Sequence, residues 1–183
     1  MDTGLGNRKP SGATAGRPKK IERDFGGKCD YFLRMVSTPA DRNFAFSEQH
    51  QRLFEAVADR IVPMDDTPGA VDAGAVRFIL GLLNSDLRGE QAAYLHGLNG
   101  VEQEARALHG KGFIELAPAL QDAVLAEIEA DRVRTHWIVS PRGFFLMMVE
   151  HVLEGFYADP GNGGNRDAVS WKMMGYKAEG GTW

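Results

Sequence analysis

Apolar side chains recur every three or four positions over most of this chain, and the strict alternation of a half-buried strand is sustained nowhere. The first helical run opens at Ser47, whose hydroxyl suits an N-cap, with Glu48 in the first turn and Leu53, Phe54, Val57, Ala58 and Ile61 on one face. It is predicted over 47–62 and stops at Pro63, because proline lacks an amide donor and disfavours helical geometry in the residue before it. Beyond the turn-rich connector P-M-D-D-T-P-G-A, a second helix carries Ala73, Val76, Phe78, Ile79, Leu80, Leu82 and Leu83 and ends near Asn84. A third, over about 90–108, presents Tyr94, Leu95, Leu98, Val101, Ala105 and Leu108. Its Gly97 and Gly100 lower helix propensity by about 1 kcal/mol each relative to alanine, and they leave room for a neighbouring helix to approach.

Gly110 and Gly112 then break the chain, and Pro118 fits the first turn of a fourth helix with Leu120, Val124, Leu125 and Ile128 as its stripe. Pro141 opens a last long helix in which Phe144, Phe145, Met148, Val149, Val152, Leu153 and Phe156 crowd more than one face, so it is expected to be the most buried. From Ala158 onward, turn formers interleave with Trp171, Met173, Met174, Tyr176 and Trp183, and for most of this stretch no regular structure is expected. The pattern predicts an all-α, single-domain helical bundle of about five helices over 47–177, with an irregular C-terminal segment and a tail at 178–183. Residues 1–46 are expected to form a flexible or partner-wrapping arm. Glycines, prolines and the basic Arg17, Lys19 and Lys20 give its first part too little apolar surface to offset ordering. Tyr31, Phe32, Leu33, Met35 and Val36, then Phe44 and Phe46, are the positions by which it would dock.

Composition narrows the function more than the fold. With 183 residues, 43% of them hydrophobic, the chain supports one core. A net charge of -4 and a pI near 5.7 argue against binding nucleic acid through bulk positive charge. No uninterrupted apolar run reaches the roughly 18 residues of a membrane-spanning helix, and the first residues lack the apolar core of a secretory leader. A cytoplasmic location is therefore the favoured expectation, and a periplasmic one stays open if the protein is exported by another signal. The single cysteine, Cys29, excludes an internal disulfide and supplies no thiolate metal site alone.

The chemistry-bearing positions each admit a plain structural account. P-G-N-G-G-N-R-D at 160–167 suggests a phosphate loop, yet it lacks the Lys followed by Ser or Thr and follows no strand, so its glycines are assigned to positive φ angles. His50, His96, His109, His136 and His151 are scattered; Glu150, His151 and Glu154 sit within about one helical turn, and His151 with Glu154 is one possible metal pair, weighed against a polar contact at a helix surface. Cys29, Ser47, Ser140 and Ser170 sit in no nucleophile elbow. Asp65 and Asp66 are expected to cap backbone amides and the following helix rather than act as acid and base. Trp171, Met173, Met174 and Tyr176 are either the lid of the core or a partner-binding surface.

Taken in order, Pro63 with D-D-T-P-G-A at 65–70, G-F-Y-A-D-P at 155–160, G-G-N-R-D at 163–167 and W-K-x-x-G-Y at 171–176 carry a resemblance. Over about residues 47–177 the chain resembles the gluconate 2-dehydrogenase subunit 3 family. That resemblance implies a non-catalytic small subunit without a cofactor of its own, in a heteromer with a large flavoprotein of the glucose-methanol-choline type. The large subunit would hold the FAD and the catalytic histidine and oxidise sugars, glycosides or polyols. Family small subunits are similar to assembly or export escorts and usually carry a twin-arginine leader; here no arginine pair precedes an apolar stretch. The expected role shifts to binding, stabilising and maturing the flavoprotein. The docking surface expected from the shared motifs comprises Pro63, Asp65, Asp66, Pro68, Gly69, Asp159, Pro160, Gly163, Gly164, Asn165, Arg166, Trp171, Lys172, Gly175 and Tyr176. Two rival readings remain: a metal-dependent helical-bundle enzyme using His151 and nearby carboxylates, and a free-standing interaction module that binds through its arm.

Overall fold

A computed structural model of the chain describes Met1 and residues 43–177. The positions assigned to the arm at Arg17, Lys19, Lys20, Cys29 and Tyr31–Val36, and the tail residue Trp183, lie outside the described residues. Within them the chain is all-helical, with no strand: α1 is Glu48–Ile61, α2 Ala75–Leu83, α3 Gln91–His109, α4 Pro118–Glu129, α5 Pro141–Tyr157 and α6 Val169–Met173. Helix α5 touches each of the other five.

The punctuation read from the sequence has local causes. Ser47 Oγ accepts the His50 amide at 3.2 Å and caps α1. Proline stands in the first turn of both α4 and α5, where its missing N–H would have had no intrahelical partner. Ser140, a nucleophile only by residue type, is the N-cap of α5 and accepts the Gly143 amide at 3.1 Å.

The most buried helix is α3, which corrects the expectation placed on α5. Helix α3 buries nine residues, against six in α5, where Leu146, Leu153 and Tyr157 remain exposed. The reason lies in the two glycines. A Cβ at Gly97 would run into the Phe144 ring, and one at Gly100 would sit 2.6 Å from Trp137 Cε3, so large aromatics from both neighbouring segments lie directly on the α3 backbone. At the centre of the core, Phe46, Phe54, Tyr94 and Phe144 meet edge-on or tilted at centroid separations of 5.5–6.2 Å. Phe44 packs against the same core, so the last residues of the expected arm join the bundle.

One charged residue is built into this core. Glu104 on α3 is fully buried, and its carboxylate accepts the Arg134 amide at 2.8 Å, the Thr135 amide at 3.1 Å and the Thr135 hydroxyl at 2.8 Å. A buried carboxylate is tolerable only when its lone pairs are so occupied. Here they pin the loop between α4 and α5, which carries the buried Trp137 and Val139.

The segment after Ala158 is more ordered than its composition suggests. Short 3₁₀ turns at Pro160–Asn162 and Arg166–Ala168 lead into the five-residue α6, a sixth helix where none was expected. The chain makes these corners with left-handed backbone at Gly163, Asn165, Asp167 and Ala168. Glycine, Asn and Asp tolerate that region; Ala168 does not do so readily. It is buried and held there by its amide, which donates to the Asn165 carbonyl at 2.9 Å.

Candidate functional site

The motif residues divide between two neighbouring places. In the first, the connector after α1 meets the segment before α6. Asp65 Oδ1 accepts both the Thr67 amide and the Thr67 hydroxyl at 2.8 Å, a local turn that explains why these residue types stand there. Those hydrogen bonds hold the Asp65 carboxyl below the usual carboxylate range. Neither aspartate caps α2: its N-cap is Gly74, in left-handed conformation at φ 80° and without a side-chain cap. Gly69 is buried because a Cβ there would meet the backbone of residues 62–64, 2.6 Å from the Met64 nitrogen.

Opposite stands the G-G-N-R-D loop, in which Gly164 and Asn165 are interior while Gly163 is exposed. A Cβ at Gly164 would collide with the Gly155 carbonyl oxygen. Asn165 is fully buried; its amide donates to Gly155 O at 3.0 Å, its side-chain amide donates to Ala158 O at 2.9 Å, and its Oδ1 accepts the Ser170 amide at 2.9 Å. Arg166 reaches across to the turn before α2, with its amide on Ala73 O at 2.8 Å and Nη2 on Asp72 O at 2.6 Å. The loop thus staples the end of α5 to the start of α2, where Gly155 and Ala75 are already in close contact. Asp159 closes the preceding Pro160 turn by accepting the Gly161 amide at 2.8 Å.

Between the two loops lies an open cleft of about 420 Å³, lined by Met64–Pro68, Asp72, Arg166, Asp167 and Val169. Of the expected surface residues, Asp65, Asp66, Pro68 and Arg166 meet here. Gly69, Gly164 and Asn165 serve beneath it as packing and bonding elements. Four aspartates around one arginine suit hydrogen-bond donors and cationic side chains better than phosphate.

In the second place, Trp171, Lys172, Gly175 and Tyr176 adjoin the end of α5. Trp171 Nε1 donates to Tyr157 O at 3.3 Å, and the Trp171 and Tyr176 rings meet edge-on at 5.0 Å. Gly175 at φ 67° turns the chain so that the Tyr176 amide donates to Trp171 O at 2.8 Å. Met173, Met174 and Tyr176 are exposed, so this cluster is a surface rather than a core lid.

Among the described residues, His151 and Ser47 are held in structural positions. His151 is buried with its ring stacked on Tyr94 at 5.9 Å, and its Nδ1 lies 2.8 Å from the Tyr94 hydroxyl. Among the described residues no three His, Cys, Asp or Glu side chains gather where they would hold a metal ion. Ser47, His50 and Asn99 lie in a triad-like line, at 2.8 Å from Oγ to Nδ1 and 3.1 Å from Nε2 to Oδ1. The serine there is the cap of α1, and the cleft lies elsewhere.

Burial holds His151 below its ordinary pKa against the opposing pull of Glu154 and Glu150, while burial raises Glu90 and, further still, Tyr94. A histidine with a depressed folded-state pKa contributes stability that is complete above its unfolded value near 6.5 and is lost as pH falls through the folded one. Glu90 acts in the opposite sense, losing its contribution as pH rises above about 4.5. In chemical denaturation between pH 7 and pH 5, His151→Gln, which keeps an acceptor for Tyr94, should therefore lose less stability than the unaltered chain. Equal slopes would contradict a buried neutral histidine.

No curated protein and no solved structure matches the sequence. The family model for gluconate 2-dehydrogenase subunit 3 matches residues 48–180, from the first residue of α1 through both motif loops and α6. That span includes every element that builds the cleft and the aromatic surface, and by it the chain belongs to the gluconate 2-dehydrogenase subunit 3 family.

Proposed function

We propose that this chain is the non-catalytic small subunit of an FAD-dependent sugar, glycoside or polyol dehydrogenase, and that it binds, stabilises and matures a large flavoprotein of the glucose-methanol-choline type. Family membership makes it a small subunit of a sugar dehydrogenase complex. The observation that carries the finer reading is how the family-like motifs are spent. Asn165, Gly164 and Arg166 brace the end of α5 against the turn before α2, Gly69 packs the connector on the end of α1, and the chain beyond them is fixed in place with aromatic and methionine side chains outward. Such a body presents a rigid surface, which suits docking a partner better than enclosing a substrate.

On this reading the FAD and the reacting groups belong to the large subunit, and this chain acts by holding that subunit's folded form. Mass action then stabilises the bound flavoprotein. Expressing the large subunit with and without this chain tests it. Soluble, FAD-loaded dehydrogenase activity should fall roughly tenfold or more without it, as expected where a partner supplies upwards of 1.4 kcal/mol of linkage. Equal yields of active flavoprotein in the two cultures would refute a maturation role.

A further inference from the structure

We infer that the flavoprotein seats on the strip that runs from Leu153 and Tyr157 of α5 across Trp171 to Met173, Met174 and Tyr176. This rests on the subunit reading above and gives it an address distinct from the acidic cleft. Leu153, Tyr157, Met173, Met174 and Tyr176 are between 37% and 58% exposed. Leu153 and Tyr157 lie one helical turn apart on one face of α5. The Trp171 indole spans to the Tyr157 carbonyl, and its ring contact with Tyr176 makes the strip continuous.

Two properties separate this strip from scattered surface apolar residues. The first is order: the hydrogen bonds to Tyr157 O and Trp171 O, the Gly175 turn and the 5.0 Å contact of Tyr157 with buried Phe156 hold the aromatics in place before any partner arrives. For these rings little side-chain freedom remains to be lost on binding. The second is charge. Glu150 and Glu154 flank Leu153 on α5, while Lys172 and Lys177 border the aromatic end. An apolar centre rich in Trp, Tyr and Met, rimmed by acid on one side and base on the other, has the make-up of a protein interface. Its complement on the flavoprotein is an apolar seat with lysine or arginine facing α5 and a carboxylate facing the C-terminal side.

The experiment titrates the purified flavoprotein with the full chain, following the FAD absorbance of the complex on gel filtration and the affinity by calorimetry. Leu153→Asp and Tyr176→Asp should each weaken binding by roughly 30-fold or more, the behaviour of interface anchors. Ile114→Asp, at an exposed apolar position after α3, should stay within about threefold. Helical circular dichroism of each variant verifies the fold, and Met174→Asp replaces any that unfolds. Unaltered chain that binds while the strip variants bind equally well would overturn the strip and leave the subunit reading standing. Equal weakening by Ile114→Asp would overturn it too. Strip variants that abolish only self-association of this chain would assign the strip to a second copy. Unaltered chain that fails to bind the flavoprotein at all would overturn the subunit reading and the strip with it.

Discussion

Glu104→Leu is expected to lower the unfolding free energy by about 4 kcal/mol, read from the denaturant midpoint, a large part of the stability of a domain this size. The leucine fits the apolar surroundings of α3 but accepts nothing. Two backbone amides, of Arg134 and Thr135, and the Thr135 hydroxyl would then lose their acceptor. Each of these part-buried donors left unmade costs up to about 1–3 kcal/mol, whereas gain from the new apolar side chain is limited by a pocket shaped for a carboxylate. Glu104→Gln keeps one carbonyl oxygen and should lose about 2 kcal/mol. A loss under about 1 kcal/mol for the leucine variant would show that the loop holds itself without the carboxylate. The effect should reach beyond the loop, because Trp137, which it positions, covers the α3 backbone at Gly100.

Gly69→Ala should cost about 2–3 kcal/mol although it adds a single methyl group. The atoms it would meet are backbone: the Met64 nitrogen at 2.6 Å, the Val62 oxygen at 2.7 Å and the Pro63 carbonyl carbon at 2.8 Å. No rotamer change relieves such a clash. The end of α1 must separate from the connector, straining the 2.9 Å bond from the Ala70 amide to Val62 O and shifting the cleft wall. Gly81→Ala on α2 is the counterpart, since a Cβ there meets nothing within 4 Å. In a helix interior that change stabilises by up to about 1 kcal/mol. Opposite signs for the two substitutions are the expected result; two similar denaturation midpoints would contradict the close approach at Gly69.

Much of the bundle was legible because the five longer helices announce themselves locally. Ser47, Pro63, Pro118 and Pro141 sit at or beside helix ends for reasons confined to a few residues of backbone. The roles of the motif residues were less legible. Asn165 and Gly164 read as candidate docking residues because they stand in the motifs that carry the family resemblance; the structure places both in the interior, beneath the surface. Glu104 was missed, yet a signal existed. It lies three residues after Val101, on the apolar stripe of α3, where an isolated carboxylate requires buried partners. The short α6 was invisible to periodicity because five residues complete too little of a helical pattern to register.

The sequence by itself determined the all-helical class, the positions at which most helices begin and end, and, through four spaced motifs, the family. These depend on short-range backbone preferences and on the period of apolar side chains, which neighbouring residues settle among themselves. Only the tertiary structure decided that α3 rather than α5 is the buried centre, and that the 65–72 and 166–169 segments meet across a cleft. It likewise decided that Trp171 and Tyr176 are clamped at the surface. Those outcomes depend on which groups meet across some ninety residues of chain, as Arg166 and Asp72 do. Packing and the satisfaction of buried donors select such contacts, and no local pattern encodes them.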